Sequence, residues 1–312
     1  MLPVNNKLQI GLTPWNSLDR SAKSLSEQAA FAEGHGYTSF WLPENHFNDN
    51  AIPDPLMLLA GVAAATSTMR LATTSYLLPL RNPLLAAEQV AVLDQLSQGR
   101  VLLGVGRGYS NKVLKAFNIA PGTKRQQFEW ALDIMTRAWS GDPVSIDAEN
   151  DAAVVLDPLP VQRPHPPIWV AAFGPKALAQ VGRLGLPYLA SPIETLQGLR
   201  ENFDLHTSAV EQAGHAPIMT RPIMRTIFVT RTATEEKDVR ESLANLVLPG
   251  GAKASPAVED WAIIGDCHYV KDKLDEYRET LAATHIVVAR LRFEGVDDGR
   301  LKQSIEQITT LI

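Results

Sequence analysis

Along the chain, short apolar runs alternate with longer stretches in which apolar positions recur every three or four residues. That alternation predicts strand–helix units. Residues 8–13 read as a first strand and 24–33 as a helix closed by Gly34 and Gly36. Residues 39–43 form a second strand. Asp54 then offers an N-cap with Pro55 at the first helical position, for a helix over 55–65. A third strand covers 70–78 and a helix 83–96, with Leu84, Ala87, Val90, Ala91 and Leu93 near helical spacing and Gly99 beyond its end. Residues 101–106 are apolar throughout, as a strand buried on both faces should be.

The second half keeps the beat less regularly. Helices are predicted over 124–139, 176–184, 195–213, 235–248, 270–281 and 301–311, and strands over 168–172, 188–190, 223–229 and 285–289. Two segments leave the pattern. Residues 144–166 form an excursion with a small hairpin and a run rich in proline at its end. Residues 248–256, a Gly/Pro/Ala/Lys loop, have the composition of a lid.

About eight strand–helix units with no shift in composition predict an α/β fold. The expected form is a TIM (β/α)8 barrel with insertions, one domain over 1–312 with excursions at 144–166 and 248–260. The competing doubly wound sheet favours a glycine-rich turn after the first strand. That place holds Thr13-Pro14-Trp15.

Composition narrows the function classes. With 45% hydrophobic and 20% charged residues, the chain has ordinary globular usage rather than that of a disordered one. A net charge of -5 speaks against nucleic acid as the main partner. The single cysteine, Cys267, excludes a disulfide framework within the chain and a cysteine-rich metal site, and no histidine spacing suits a metal. The longest uncharged run, 55–69, is too short to span a bilayer. The expectation is a cytoplasmic protein without membrane or metal.

In a barrel, chemistry gathers where strands end. The second strand end carries Glu44, Asn45 and His46. A carboxylate, an amide and an imidazole in sequence can fix a polar ligand edge, and His46 can move protons near neutral pH. The plainer reading is a capped turn. Arg107 sits between Gly106 and Gly108, where a guanidinium can grip a phosphate; the alternative is a surface ion pair. Phe173-Gly174-Pro175 joins a strand to a helix, a place where backbone N–H groups bind phosphate in many barrels. Trp15, Tyr76 and Tyr109 could line a pocket, although buried aromatics serve packing just as well.

Residues 40–47, Phe-Trp-Leu-Pro-Glu-Asn-His-Phe, resemble a stretch of the bacterial luciferase-like flavin monooxygenases. So do Leu78-Pro79, the run Asp-Gln-Leu-Ser-Gln-Gly-Arg at 94–100, Gly-Val-Gly-Arg-Gly-Tyr-Ser-Asn-Lys at 104–112, residues 166–178 and 262–266. The resemblance covers nearly the whole chain and carries its specificity in the order and spacing of these pieces. It implies a TIM barrel with an insertion that uses reduced FMN, supplied by a separate flavin reductase, together with O2 and a small organic substrate. A second branch uses a deazaflavin coenzyme for hydride transfer. It would need an Asp–His motif at the second strand end and basic residues for an oligoglutamate tail.

Carried over by position, the resemblance makes Arg107 a phosphate contact and turns the Phe173 and Gly174 N–H groups toward the phosphate. It places a cis peptide at Thr74–Ser75 beneath the flavin ring, with Tyr109 nearby. Glu44, Asn45 and His46 become the catalytic set, and Trp15 and Tyr76 the substrate contacts. A homodimer is a family-level expectation. Luciferase itself has two histidines after the glutamate. Here the first is Asn45, which removes the residue tied to luciferase catalysis and admits a third reading, a flavin-binding relative without catalysis.

Overall fold

A computed structural model of the protein describes residues 8–16, 18–108, 110–145, 153–244 and 257–312. Its centre is a curled, all-parallel sheet. The strands are β1 (Gln9–Leu12), β2 (Ser39–Leu42), β3 (Arg70–Thr73), β4 (Tyr76–Leu77), β5 (Val101–Gly106), β6 (Ile168–Ala171), β7 (Tyr188–Leu189), β8 (Pro222–Val229), β9 (Ala262–Gly265) and β10 (His285–Val288). The order is β7-β6-β5-β3-β2-β1-β10-β8-β9, with β4 also on β5. The Ala190 N–H donates to the Pro222 carbonyl at 3.3 Å, so the chain after β7 meets the start of β8 and the sheet curls into a TIM-barrel-like form.

Helices cover the outside: α1 (Ala22–Gly34), α2 (Pro55–Ala65), α3 (Pro83–Leu96), α4 (Asn111–Ala116), α5 (Lys124–Trp139), α6 (Pro175–Arg183), α7 (Leu196–Gln212), α8 (Ala233–Ala244), α9 (Cys267–Leu281) and α10 (Asp298–Thr310). Asp54 caps α2 as predicted, accepting the Met57 N–H at 3.1 Å. Three features differ from the expected pattern. The third strand is two short strands, β3 and β4, separated by a cis peptide at Thr74–Ser75. α4 follows β5 directly, capped by Ser110, which accepts the Val113 N–H. β9 extends the sheet by pairing with the far half of β8, from Thr226 to Val229. The predicted helix over 235–248 is described only as far as Ala244, and most of the 248–260 excursion lies outside the described residues.

Inside the barrel, successive strands contribute Trp41, Ala72, Leu102, Trp169, Leu189, Met224, Val287 and Ala289. Trp41 and Trp169 stack with centroids 5.3 Å apart. Two indoles fit only because neighbouring strands omit side chains. A Cβ on Gly11 would stand 2.6 Å from Trp41 Nε1, and one on Gly104 would stand 1.9 Å from the Thr73 carbonyl oxygen. Trp169 also meets His285 edge-on at 4.8 Å.

At the N-terminal ends of the strands the excursion is clasped to the barrel. Asp94, wholly buried on α3, accepts the Gln162 backbone N–H at 2.9 Å and its side-chain amide at 2.8 Å. Gln162 in turn accepts from Arg70 and donates to the Val101 carbonyl. Among the described residues the excursion carries an antiparallel bridge, Val144 to Val154, in the segment where the sequence predicts a hairpin.

Two outcomes follow. Gly104→Ala forces a methyl onto a backbone oxygen that cannot step aside, and should cost about 3 kcal/mol. A fall in the urea midpoint at unchanged m-value would show this. Burial, reinforced by Arg70, pushes the His285 imidazole down to about 4 from an ordinary 6.5. Below pH 6.5 the unfolded chain takes up this proton while the folded chain does not. Stability is therefore present above that pH and is lost as pH falls toward 4, by about 3 kcal/mol at most. Unfolding curves across this window should be flatter for His285→Gln than for the wild type.

Candidate active site

At the C-terminal end of β2 the Glu44 carboxylate has no exposed surface. A buried carboxylate requires donors, and Glu44 has three. Oε1 accepts from His46 Nε2 and from an Arg81 guanidinium nitrogen, each at 2.8 Å, and Oε2 accepts the Leu77 N–H at 2.9 Å. The same Arg81 nitrogen donates to the Leu77 carbonyl at 3.0 Å, and the guanidinium lies 3.9 Å over the centre of the Tyr76 ring. Tyr76 is fully buried, donates to Gln89, and has its hydroxyl held far above the ordinary range, chiefly by burial. One carboxylate thus joins the end of β2 to the segment just after the cis peptide.

Asn45 serves its own loop. Its N–H donates to the Ile52 carbonyl at 3.0 Å, and its side-chain oxygen accepts the Ile52 N–H at 2.8 Å. His46 lies edge-on to Phe117 at 5.0 Å, and Phe117 stacks with Phe47 at 5.9 Å. Phe47 is 61% exposed and Phe117 38%, so an apolar wall stands beside the imidazole and is open to solvent. Thr74 donates across the barrel to the Met224 sulfur at 3.2 Å. Ser75 fills the space beside Gly106, where a Cβ would stand 2.2 Å from its Oγ.

Two aromatic candidates lie behind the strand ends. Trp15 is buried against Phe31, and its indole N–H donates to Asp298 at 2.6 Å, which locks it between α1 and α10. Tyr76, beneath Arg81, presents no surface to a ligand. Both support the site from behind. Tyr109 lies outside the described residues.

Across the mouth, Arg107 donates to Gln180 on α6 at 2.7 Å and to the Ala171 carbonyl at 3.4 Å. Gln180 passes the contact to Glu129, which also meets Arg183. Among the described residues no carboxylate pairs directly with Arg107. Burial lowers its affinity for the proton, and Arg125 adds repulsion. Lys124 is lowered in the same way by burial, Arg107 and Arg125, while donating to the Gly108 carbonyl at 3.0 Å. α6 begins at Gly174 (φ 79°), where no side chain caps the first turn, and Phe173 beside it is 68% exposed. Cations without a carboxylate partner among the described residues, beside the start of a helix, are suited to an anion. No group of three His, Cys, Asp or Glu among the described residues could hold a metal ion.

Arg81, Phe117, Lys124 and Arg125 were not singled out from the sequence. Arg81 is 37 residues from Glu44, and no spacing rule links them. The cations did leave a signal. From Gln95 to Phe128 the chain holds Arg100, Arg107, Lys112, Lys115, Lys124 and Arg125 without one Asp or Glu, in a protein of net charge -5.

Comparison with known proteins agrees with this geometry. The model of the luciferase-like monooxygenase family matches residues 7–284, and the chain belongs to that family. Limonene 1,2-monooxygenase of Rhodococcus erythropolis is 27% identical over 267 residues, 80% of this chain and 68% of that one. The chain matches little more than half the length of several other curated relatives, 58%, 53% and 55%. Among solved structures, the oxygenating constituent of 3,6-diketocamphane monooxygenase from Pseudomonas putida, in complex with FMN, superposes with a TM-score of 0.80 at 20% identity, over 97% of each chain. An F420-dependent secondary alcohol dehydrogenase superposes equally well, at 0.80 and 19% identity, over 98% of this chain and 99% of that one. The shared fold therefore accommodates either cofactor, and no described helix is long and apolar enough to cross a membrane.

The anion site can be tested without any cofactor. Inorganic phosphate should raise the unfolding temperature of the wild type by mass action. It should do so more than chloride at equal ionic strength, and the difference should vanish in Arg107→Met.

Proposed function

We propose that the protein is a two-component FMN-dependent monooxygenase, in which a separate flavin reductase supplies reduced FMN and the enzyme uses O2 to oxidise a small, largely apolar organic molecule. The observation that carries this reading is Arg107, without a carboxylate partner among the described residues, beside the start of α6, which no side chain caps. Arg107 and the Phe173 and Gly174 N–H groups would hold the FMN phosphate, with Lys124 and Arg125 adding to the field. The ring would lie over the strand ends near Thr74 and Ser75. Reduced flavin supplies the electrons that activate O2.

The chain's own residues supply the surroundings. The stacked indoles of Trp41 and Trp169 close the barrel beneath the ring site and keep it dry from below. Phe47 and Phe117 offer an apolar contact for the substrate beside His46, which is positioned to exchange a proton with it.

The second reading, hydride transfer with a deazaflavin coenzyme, has one observation in its favour. Lys124 and Arg125 stand beside Arg107, Lys112 and Lys115 follow it in sequence, and such cations without acidic partners among the described residues would suit an oligoglutamate tail. The sequence Glu44-Asn45-His46 at the end of β2 favours FMN. A non-catalytic flavin carrier would share the cofactor site and lack oxygen transfer.

Anaerobic titration with reduced FMN, reduced riboflavin and reduced F420 separates these readings. FMN should bind most tightly. Arg107→Ala should weaken FMN by about 10- to 100-fold, since a charge-assisted hydrogen bond is lost, and leave riboflavin unaffected. Tighter binding of F420 would replace the first reading with the second.

A further inference from the structure

We propose that Glu44 and Arg81 are positioning residues that hold His46 in one tautomer, with the proton on Nε2 and a bare Nδ1 as the proton-accepting atom of the site. That His46 faces a substrate rests on the flavin reading above; the tautomer itself rests only on the hydrogen bonds.

Glu44 is surrounded by donors. The Leu77 N–H carries a hydrogen that it cannot give up, and the Arg81 guanidinium stays protonated in proteins. Between them they occupy both oxygens and balance the negative charge. The remaining contact, to His46 Nε2 at 2.8 Å, is then made to an acceptor-only carboxylate, so Nε2 must be the donor. A neutral imidazole carries one N–H, which leaves Nδ1 with a free lone pair. Nδ1 makes no hydrogen bond among the described residues. The ring cannot turn away, because Phe117 meets it edge-on at 5.0 Å and Phe47 lies 5.7 Å from it.

Arg81 decides what the carboxylate demands of the histidine. Without Arg81, the buried charge of Glu44 would fall to His46 to balance, and the imidazolium has no acceptor left. With Arg81 on the same oxygen as His46, the pair is neutral before the histidine contributes. A proton arriving from a ligand hydroxyl or N–H goes to Nδ1, and the resulting cation keeps its Nε2–H on Glu44. In this proposal Glu44 passes from the catalytic set to a supporting one, because its carboxylate has no exposed surface and its three contacts are all to protein. Arg81 joins it through the same oxygen.

The test is a long-range 1H–15N correlation spectrum of protein labelled at histidine, with the His46 signals assigned by their loss in His46→Asn. Near neutral pH the wild type should show a bare Nδ1 and a protonated Nε2 at His46. In Glu44→Leu no acceptor remains for Nε2–H, so the single tautomer should give way to a mixture of the two neutral forms. Arg81→Met should replace the single tautomer with a mixture that contains imidazolium, and Arg81→Lys should restore the wild-type pattern. A wild-type His46 protonated on Nδ1, or a Glu44→Leu spectrum like the wild type, would overturn the proposal. The wild-type spectrum is decisive even if a variant fails to fold. Failure to bind FMN with the tautomer intact would count against the flavin reading alone.

Discussion

A carboxylate sealed from water must be answered from within the protein, and at the mouth of this barrel Glu44 is answered by three donors, one from its own loop and two from the segment after the cis peptide. Removing an ion from water costs several kcal/mol, and only well-placed donors offset it. Meeting that need fixes the relative positions of the end of β2, the backbone after the cis peptide and the turn that leads into α3. The wall of the site is therefore held by charge and hydrogen bonding more than by apolar packing. Tyr76 is part of the same arrangement, since its ring supports the guanidinium that supports the carboxylate.

The opposite wall follows a different rule. Around Arg107 the charges are left unanswered among the described residues, and neighbouring cations oppose one another. One wall is internally neutralised and rigid; the other awaits a counter-charge. The division suits a ligand with an uncharged ring at one end and an anion at the other. It also gives the acidic overall balance a meaning, because the positive field is local and the remaining surface would repel the same ligand.

The fold was legible because its strands and helices are written in local patterns. The helix expected over 124–139 matches α5 at both ends, and Asp54-Pro55 marks the start of α2 as its capping chemistry requires. The break between β3 and β4 was legible only through resemblance, since a backbone isomer leaves no periodicity. Within the site, the residues next to strand ends were found, while their roles depended on contacts remote in sequence. His46 could be picked out by type and place. That Glu44 is silent toward the pocket depends on Arg81, 37 residues away, and on a backbone N–H that has no residue identity. Trp15 and Tyr76 were legible as aromatics near strand ends and no further: an aromatic side chain packs behind a site as readily as it lines one, and only burial distinguishes the two.

The clasp between Asp94 and Gln162 sits at the other end of the strands from the chemistry. It anchors the returning arm of the excursion where β3 and β5 begin, and Val155, further out, is 60% exposed. Asp94 and Gln162 thus tie that arm down at the end of the strands opposite Glu44 and Arg107. A reporter peptide or affinity handle spliced beside Val155 would ride on an arm whose root is fixed, and the excursion becomes a natural port for engineering that leaves the catalytic end untouched.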